Sequence, residues 1–388
     1  MNTYPVQFYD LLSRALGGND SRRIQGFLDN VVAEKYNKLD VPGFKFAAEM
    51  QLDFTYEQIQ KEIGLNVMAS YVDLDSQPIP VGTEGAVINT GRIPRMKMVE
   101  YYNEDKYRKL LIAEQRFGAQ SSNVVNSAVK ALFNTIDTLV GGHTNSLTYQ
   151  RHQIVSTGKF VINSTNNPNG IVGLTFASHV PAANITTLSG TKRWWTDAEK
   201  TTEGTAANPV DDMIAMVEVA RQKGVEGHFE VNSAYLDKVL KHSKVLAAIG
   251  ANLFPSATSA TASAAYLSRA KKIEVLSDIV GASIVPIDAR VATEVYNKTA
   301  KALERKMMDA FEANVIVFVP NGDLGEILTV EPIAIEGGNY GTFYGGRLLL
   351  TVDVDAKYKC QSFNTEMTSL VVPNKPQYMW YLKPNPAA

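Results

Sequence analysis

The chain has 388 residues, with 38 basic and 40 acidic side chains and a formal net charge of −2 at pH 7. This balance excludes the concentrated positive charge of a dedicated nucleic-acid binder. The single cysteine, Cys360, excludes an intrachain disulfide and a zinc site made from several cysteines, as expected of a reducing compartment. The length predicts two or three packed units. Because the start of the chain lacks a signal-peptide pattern and no apolar run could span a membrane, we expect a soluble intracellular protein.

The first 65 residues combine short helical patterns with polar breaks. Helices are predicted over Val6–Ala15, Arg23–Tyr36 and Tyr56–Ile63, with turn-forming residues at 17–20 and 41–43 between them. These helices are too short and too interrupted to build a deep core. The pattern is typical of an arm that lies on neighbouring chains, and it also fits a terminal subdomain.

Residues 66–103 predict an extended β-hairpin. The strand-like runs Val67–Leu74 and Ala86–Tyr102 flank a centre rich in proline and glycine. The arms lack the continuous apolar face that would pack on a local core. We therefore expect this hairpin to project and to contact other chains.

The strongest helical periodicity follows the hairpin. A first helix is predicted over Glu104–Phe117, and a second over residues 119–140. Glycines 141 and 142 are expected to end the second helix, which then restarts over about residues 145–157. Together these segments predict an interrupted rod of about 75 Å if straight. The apolar positions with helical spacing are Val125, Val129, Leu132, Ile136 and Leu139.

The middle of the chain predicts an α/β unit that follows the strand Lys159–Asn163 and a long polar loop. Asn208 and Pro209 are a typical helix start. The run Val315–Val319 is apolar on both faces, which predicts a central strand covered on both sides. The predicted elements are a helix over Pro209–Lys223, a strand over His228–Asn232, a helix over Ala234–Lys241, and strands over Ser283–Asp288 and Asn314–Pro320.

The C-terminal part predicts long, half-buried strands. Leu348, Leu350, Val352 and Val354 alternate with polar residues, and a further strand is expected over Thr368–Val372. An apolar sheet face needs a covering layer, and the long helix is the best candidate for it.

Residues that could carry chemistry are scattered. The histidines have no metal-ligand spacing, the pair His242-Ser243 lacks the turn motif of a nucleophile, and the glycine clusters at 337–346 lack the lysine of a phosphate loop. In Lys192–Trp195, anchoring of the two tryptophans in a core is favoured over stacking on nucleic-acid bases. We therefore predict no catalytic, cofactor-binding or metal-binding residues, no cofactor and no enzymatic activity. The histidines are His143, His152, His179, His228 and His242.

From about Asn66 to the C-terminus, the order of elements resembles the HK97-type fold of tailed-bacteriophage major capsid proteins. Within that group the chain is most similar to the family of the lambda head protein, often called major capsid protein E. Each local motif is weak alone, and their shared order supports the resemblance. The motifs are Ser156–Val161, Trp195–Asp197, Asn208–Ile214, Val319–Gly325 and Leu370–Pro376.

The resemblance implies an α+β, HK97-like fold in four regions. These are an N-terminal arm (1–65), an extended hairpin or E-loop (66–103), a peripheral domain with the spine helix and long strands (104–208 and 330–388), and an axial α/β domain (209–329). It also implies a head protein that self-assembles as hexamers and pentamers into an icosahedral shell around the genome.

The implied partners are further copies of the chain, a separate scaffolding protein, a portal and decoration proteins, with weak non-specific contact to packaged DNA and no membrane. The implied location is the virion, after assembly in the bacterial cytoplasm. The hairpin centre Pro78–Gly85 has no lysine, so isopeptide crosslinking from that loop is not expected. The alternatives are an encapsulin-like nanocompartment shell, a hydrolase with a site in the middle α/β unit, and another virion protein, against which the long helix argues.

Overall fold

A computed structural model describes most of the chain. The described residues are 41–61, 86–102, 105, 108–109, 112, 122–255, 260–297, 302–333, 339–355 and 360–385. Asp105, Arg108, Lys109 and Ile112 are helical, in agreement with the helix predicted there. The predicted helices Val6–Ala15 and Arg23–Tyr36, and the predicted strand Val67–Leu74, lie outside the described residues.

The helices and strands alternate along the chain in a mixed order. The strands are β1 (Phe44–Phe46), β2 (Thr55–Lys61), β3 (Ala86–Arg92), β4 (Arg95–Tyr102), β5 (Lys159–Val161), β6 (Thr175–Ala177), β7 (Ile185–Thr187), β8 (Gly227–Asn232), β9 (Ile284–Ile287), β10 (Arg290–Asn297), β11 (Ala302–Asp309), β12 (Ile316–Pro320), β13 (Gly325–Val330), β14 (Asn339–Phe343), β15 (Leu348–Asp355), β16 (Cys360–Pro373) and β17 (Trp380–Lys383). The α-helices are α1 (Ser122–Thr157), α2 (Pro209–Gln222), α3 (Ser233–Val239), α4 (Ser243–Leu253), α5 (Ala260–Ala265) and α6 (Arg269–Val280).

The chain divides into two compact units. The first takes its described residues from Met1–Thr55, Arg92–Leu147 and Ile327–Leu370. The second takes them from Tyr56–Gly91, Thr148–Glu326 and Val371–Ala388. Helix α1 and strand β16 each contribute residues to both units.

The first unit is built on a mixed sheet and on the earlier part of α1. The sheet has the order β1-β13-β16-β15-β14, and β4 pairs with β16 as well. His143 on α1 lies 3.0 Å from the hydroxyl of Thr365 on β16. The buried positions of β15 include Leu348, Leu350 and Val352. The predicted packing of long terminal strands on the long helix is therefore confirmed.

Helix α1 does not break at its two glycines, so the predicted interruption is wrong. A Cβ on Gly142 would lie 2.1 Å from Sδ of Met98, whereas one on Gly141 would meet nothing within 4 Å. Gly142 therefore admits the Met98 side chain on β4 without ending the helix. The hydroxyls of Thr144 and Ser146 donate to the carbonyls four residues earlier, which fits these residues inside a continuous helix.

Two predictions are corrected here, the third helix of the first 65 residues and the second strand of the projecting hairpin. Tyr56–Ile63 was expected to be helical, but its residues up to Lys61 belong to β2, which pairs with β3. The predicted arm Ala86–Tyr102 is two strands, because Pro94 has no N–H and cannot continue a ladder. The second of these, β4, pairs antiparallel with β16 and does not project. The alternation of half-buried Met96 and Met98 with exposed neighbours suits this place in a sheet.

The second unit contains a sheet with the order β7-β17-β12-β8-β9. All five residues of β12 are buried between β17 and β8, which confirms the predicted central strand. Aromatic rings fill the core beside it: Phe229 and Phe318 lie 5.3 Å apart, and Phe318 and Trp380 lie 5.9 Å apart. The predicted helix starting at Pro209 and the predicted strands at β8 and β9 are also present.

Several elements of the second unit were not predicted, among them α4, α6, β6, β7, β10, β11 and β17, and the small-residue stretch before α6 includes the short helix α5. The packing of α4 on α5 depends on a close approach of the two backbones. A Cβ on Gly250 of α4 would lie 2.6 Å from the carbonyl oxygen of Ala260. Such contacts between small residues leave no pattern of large apolar side chains to detect.

Candidate functional site

The histidines do not form a joint site among the described residues. His143 belongs to the first unit and His179 is exposed, whereas in the second unit His152 and His228 flank one buried ion pair and His242 lies at the start of α4. In the part of the chain that the structure describes, no group of three or more His, Cys, Asp or Glu side chains could hold a metal ion. Burial lowers the pKa of His143 to about 4, so this imidazole is neutral near pH 7.

The most concentrated charge lies inside the second unit, in a group that we call the Arg151 cluster: Arg151, His152, His228 and Glu230. Arg151 on α1 donates from Nη1 to Oε2 of Glu230 at 2.6 Å and from Nη2 to Oε1 of the same carboxylate. The two side chains are only 2% and 4% exposed. A bidentate pair of this kind fixes the helix to strand β8 within the unit.

Both histidines of the Arg151 cluster respond to this ion pair. Hydrogen bonding to Glu230 raises the pKa of His228, whose Nε2 lies 3.6 Å from Oε1. Burial, and then the charge of Arg151, lowers the pKa of His152 to about 4. Although burial opposes the charged carboxylate, hydrogen bonds from His228 and Arg151 lower the pKa of Glu230 to about 2. Both carboxylate oxygens are occupied, so the cluster suits a structural role.

Glu203, His242 and Ser243 lie together, as a serine-hydrolase site would require, but their bonding differs. The Ser243 hydroxyl and backbone N–H both donate to Glu203, the latter at 2.7 Å. The N–H of Lys244 donates to Nδ1 of His242 at 3.2 Å, so a neutral His242 carries its proton on Nε2. The serine therefore points to the carboxylate and not to a free imidazole nitrogen. The group caps the start of α4 and lacks the proton path of a nucleophile.

Trp194 and Trp195 are 0% and 3% exposed, which confirms that they anchor their loop in the core. The indole N–H of Trp194 donates to Oδ2 of Asp212 at 2.7 Å. Trp195 contacts the ring of Tyr235 edge-on, with 5.5 Å between centroids. Neither ring is available to stack on a nucleic-acid base.

The ribbon formed by β10 and β11 has one face whose described residues are all exposed, and sequence reasoning missed it. These strands pair with each other and form a separate two-stranded sheet. Val295 and Met307 are 37% and 60% exposed. The alternating β-branched residues from Val291 to Val295 and the polar sequence after Asn297 are the signals that could have revealed it.

Among the described residues, no helix combines the length and apolar character needed to cross a membrane.

The fold can now be compared with solved structures. A structure assigned to the capsid protein of a prophage of E. coli CFT073 matches with a TM-score of 0.51 and 11% identity, over 94% of this chain and 98% of that one. The capsid of cyanophage A-1(L) matches at a TM-score of 0.46 and 12% identity, over 90% and 93% of the two chains. The first likeness defines an HK97-like capsid fold, which confirms the predicted fold class.

The sequence profile described as phage major capsid protein E matches residues 36–380. The chain belongs to that family, as the resemblance predicted. Family membership favours a phage capsid subunit over the encapsulin, hydrolase and other virion-protein alternatives. No curated protein matches the chain.

Proposed function

We propose that the chain self-assembles, as hexamers and pentamers, into an icosahedral shell that encloses a phage genome. The observation that carries this proposal is the family match over residues 36–380. Members of one capsid family share the task of tiling a closed surface, which requires many repeated contacts between identical subunits.

Two separate two-stranded ribbons support an assembly role. β2 pairs with β3, and β10 pairs with β11, each as a separate two-stranded sheet. Two-stranded ribbons are marginally stable in water unless something packs on them. In a shell that packing would come from neighbouring subunits.

The regional division predicted from the sequence is retained as part of the proposal. Residues 209–329 would form the axial domain around the five-fold and six-fold positions, and they include the central strand β12. Residues 104–208 and 330–388 would form the peripheral domain, and residues 1–65 the arm. The bounds of the E-loop, predicted as residues 66–103, would change at both ends. Strand β4 would be excluded because it pairs with β16, and β2 would be included because it pairs with β3.

The proposed role is structural and not enzymatic. In the two polar groups that most resemble catalytic sites, the Arg151 cluster and the cap at Ser243, the carboxylates of Glu230 and Glu203 accept hydrogen bonds from within the fold. The proposed partners are other copies of the chain, a scaffolding protein, a portal, decoration proteins and, weakly, packaged DNA. Assembly would take place in the bacterial cytoplasm, and the product would be part of the virion.

Electron microscopy and sedimentation of the purified full chain test the proposal. We expect closed particles or rings of five and six subunits, with circular dichroism reporting a folded mixture of helix and strand. A folded protein that stays monomeric at all concentrations, with and without co-expressed scaffold, would contradict it. Glu274→Gln, a substitution of a 60% exposed side chain on α6, is a control that should leave particle formation unchanged.

A further inference from the structure

One face of the β10–β11 ribbon carries a regular charge pattern. Its register places Arg290 opposite Asp309, Ala292 opposite Met307, and Glu294 opposite Arg305. Alternate residues of a strand point to the same side, so these three pairs share one face. We call it the ribbon face: Arg290, Ala292, Glu294, Arg305, Met307 and Asp309.

Charges of opposite sign alternate around the ribbon face. Arg305 lies 2.9 Å from Glu294 at one end, and Arg290 lies 3.4 Å from Asp309 at the other. Each basic residue therefore has an acidic neighbour across the ribbon and another further along its own strand. Met307, which is 60% exposed, lies in the middle of these four charges.

Such a pattern is complementary to itself. If a second copy is laid over the first with a two-fold axis parallel to the strands, Arg290 lies over Asp309 of the second copy. Glu294 then lies over Arg305 of that copy, and Ala292 over Met307. A two-fold axis that lies between the two faces and runs perpendicular to the strands also brings opposite charges together, because it places Arg290 of one copy over Glu294 of the other. Isologous contacts in symmetric assemblies need this kind of self-complementary surface.

We propose that the ribbon face binds the same face of a second copy of this chain across a two-fold axis. The charges set the register of the contact, and Met307 provides its apolar centre. This inference rests on the proposed shell, because it names one of the contacts from which the shell is built. It requires the ribbon, which leaves the sheet of the axial domain between β9 and β12, to extend from the five-fold and six-fold positions to a two-fold axis. The contact would also cover a ribbon face whose six residues are all exposed in the single chain.

Cysteine crosslinking of assembled particles tests the contact. Ala292→Cys subunits alone should form disulfide-linked dimers if the axis is perpendicular to the strands. An equal mixture of Ala292→Cys and Met307→Cys subunits should form them if it is parallel. Lys306→Cys, adjacent in sequence but on the opposite face, is the matched control and should give none. The unsubstituted chain is a further control, because any disulfide-linked dimer that it forms must involve the native Cys360.

Charge reversal provides a second test. Arg305→Glu places like charges over one another and should lower the yield of linked dimers about tenfold. Lys306→Glu makes the same change of charge on the opposite face and should not lower it. Replacing all four charges together, as Arg290→Asp, Glu294→Arg, Arg305→Glu and Asp309→Arg, retains self-complementarity and should restore linkage.

The outcomes separate this inference from the proposed function. Intact particles without linked dimers in either cysteine experiment would overturn the ribbon contact and leave the shell proposal standing. Equal loss of linkage in Arg305→Glu and Lys306→Glu would also overturn it. If the unsubstituted chain formed no particles, the proposed function would fail, and the inference that rests on it would fail too.

Discussion

Two ion pairs of the same chemistry have opposite surroundings in this protein. Arg151 and Glu230 are 2% and 4% exposed and form a bidentate pair inside the second unit. Arg305 and Glu294 are 75% and 46% exposed on the β10–β11 ribbon. Water screens the exposed pair and does not screen the buried one. The Arg151–Glu230 pair should therefore contribute to folding, and the Arg305–Glu294 pair mainly to recognition. The residue types are the same, so the difference in role comes from the difference in burial.

Breaking the buried pair should have the largest effect. Arg151→Met leaves the Glu230 carboxylate buried without its charged partner, and we expect the free energy of unfolding to fall by about 3–5 kcal/mol. Arg305→Met is the matched control on the exposed pair and should cost about 0–1 kcal/mol. Urea unfolding of dissociated subunits measures both. Equal losses for the two variants would contradict the contrast.

The pH dependence of stability should also come from the buried site. Because the folded protein holds the pKa of His152 at about 4, the unfolded chain takes up a proton near its usual value of 6.5 and the folded chain does not. Stability therefore falls as the pH drops from 6.5 towards 4, by about 2 kcal/mol between pH 7 and pH 5. His152→Gln should reduce this slope, and the similar contribution of the buried His143 should remain.

His228 should act in the opposite direction. Its raised pKa stabilises the fold fully below pH 6.5, and that contribution is lost as the pH rises through the folded-state value. His228→Gln should therefore remove a loss of stability on the alkaline side. Unchanged slopes in both His152→Gln and His228→Gln would count against the assigned surroundings.

A smaller difference in stability is expected between alanine substitutions at two adjacent glycines of α1, because their surroundings differ. Gly141→Ala meets nothing within 4 Å and should raise the free energy of unfolding by about 0.5–1 kcal/mol, because alanine favours a helix. Gly142→Ala meets the Met98 side chain, which must move, so it should be less stable than Gly141→Ala by about 1 kcal/mol or more. Thermal unfolding of the two variants gives the difference; a larger gain for Gly142→Ala would show that Met98 is not in contact.

The smallest effect is that of salt on the exposed pair. At about 1 M salt the screening length is about 3 Å, so the small cost of Arg305→Met should disappear. The cost of Arg151→Met should persist, since solvent ions do not reach a pair that is nearly fully buried. Urea unfolding in low and high salt compares the two variants. A salt-sensitive Arg151→Met would mean that water reaches the buried site.

Local sequence patterns predict an element correctly where the residues of one segment are themselves selected by burial or by capping. The apolar run Val315–Val319 predicted the central strand, and Asn208 with Pro209 predicted the start of α2, both of which the structure contains. The alternation Leu348 to Val352 also predicted a buried sheet face. In each case burial on one or two sides selects the residue type directly.

The features that sequence reasoning missed depend on partners far away in the chain. Arg151 and Glu230 are 79 positions apart, so their pairing has no local pattern. Gly142 was read as a helix end because its contact with Met98, which lies on another element, cannot be seen in the sequence around it. The charge pattern of the ribbon face depends on the pairing register of β10 and β11, which places Glu294 opposite Arg305 and which the sequence does not specify locally.

A cryo-electron microscopy reconstruction of particles assembled from the full chain tests the central claim most directly. We expect a closed icosahedral shell of hexamers and pentamers in which ribbon faces meet in pairs across two-fold axes. An ordered particle whose ribbons all face solvent would contradict the paired contact. A folded chain that forms no closed particle or ring would contradict its role as a shell subunit.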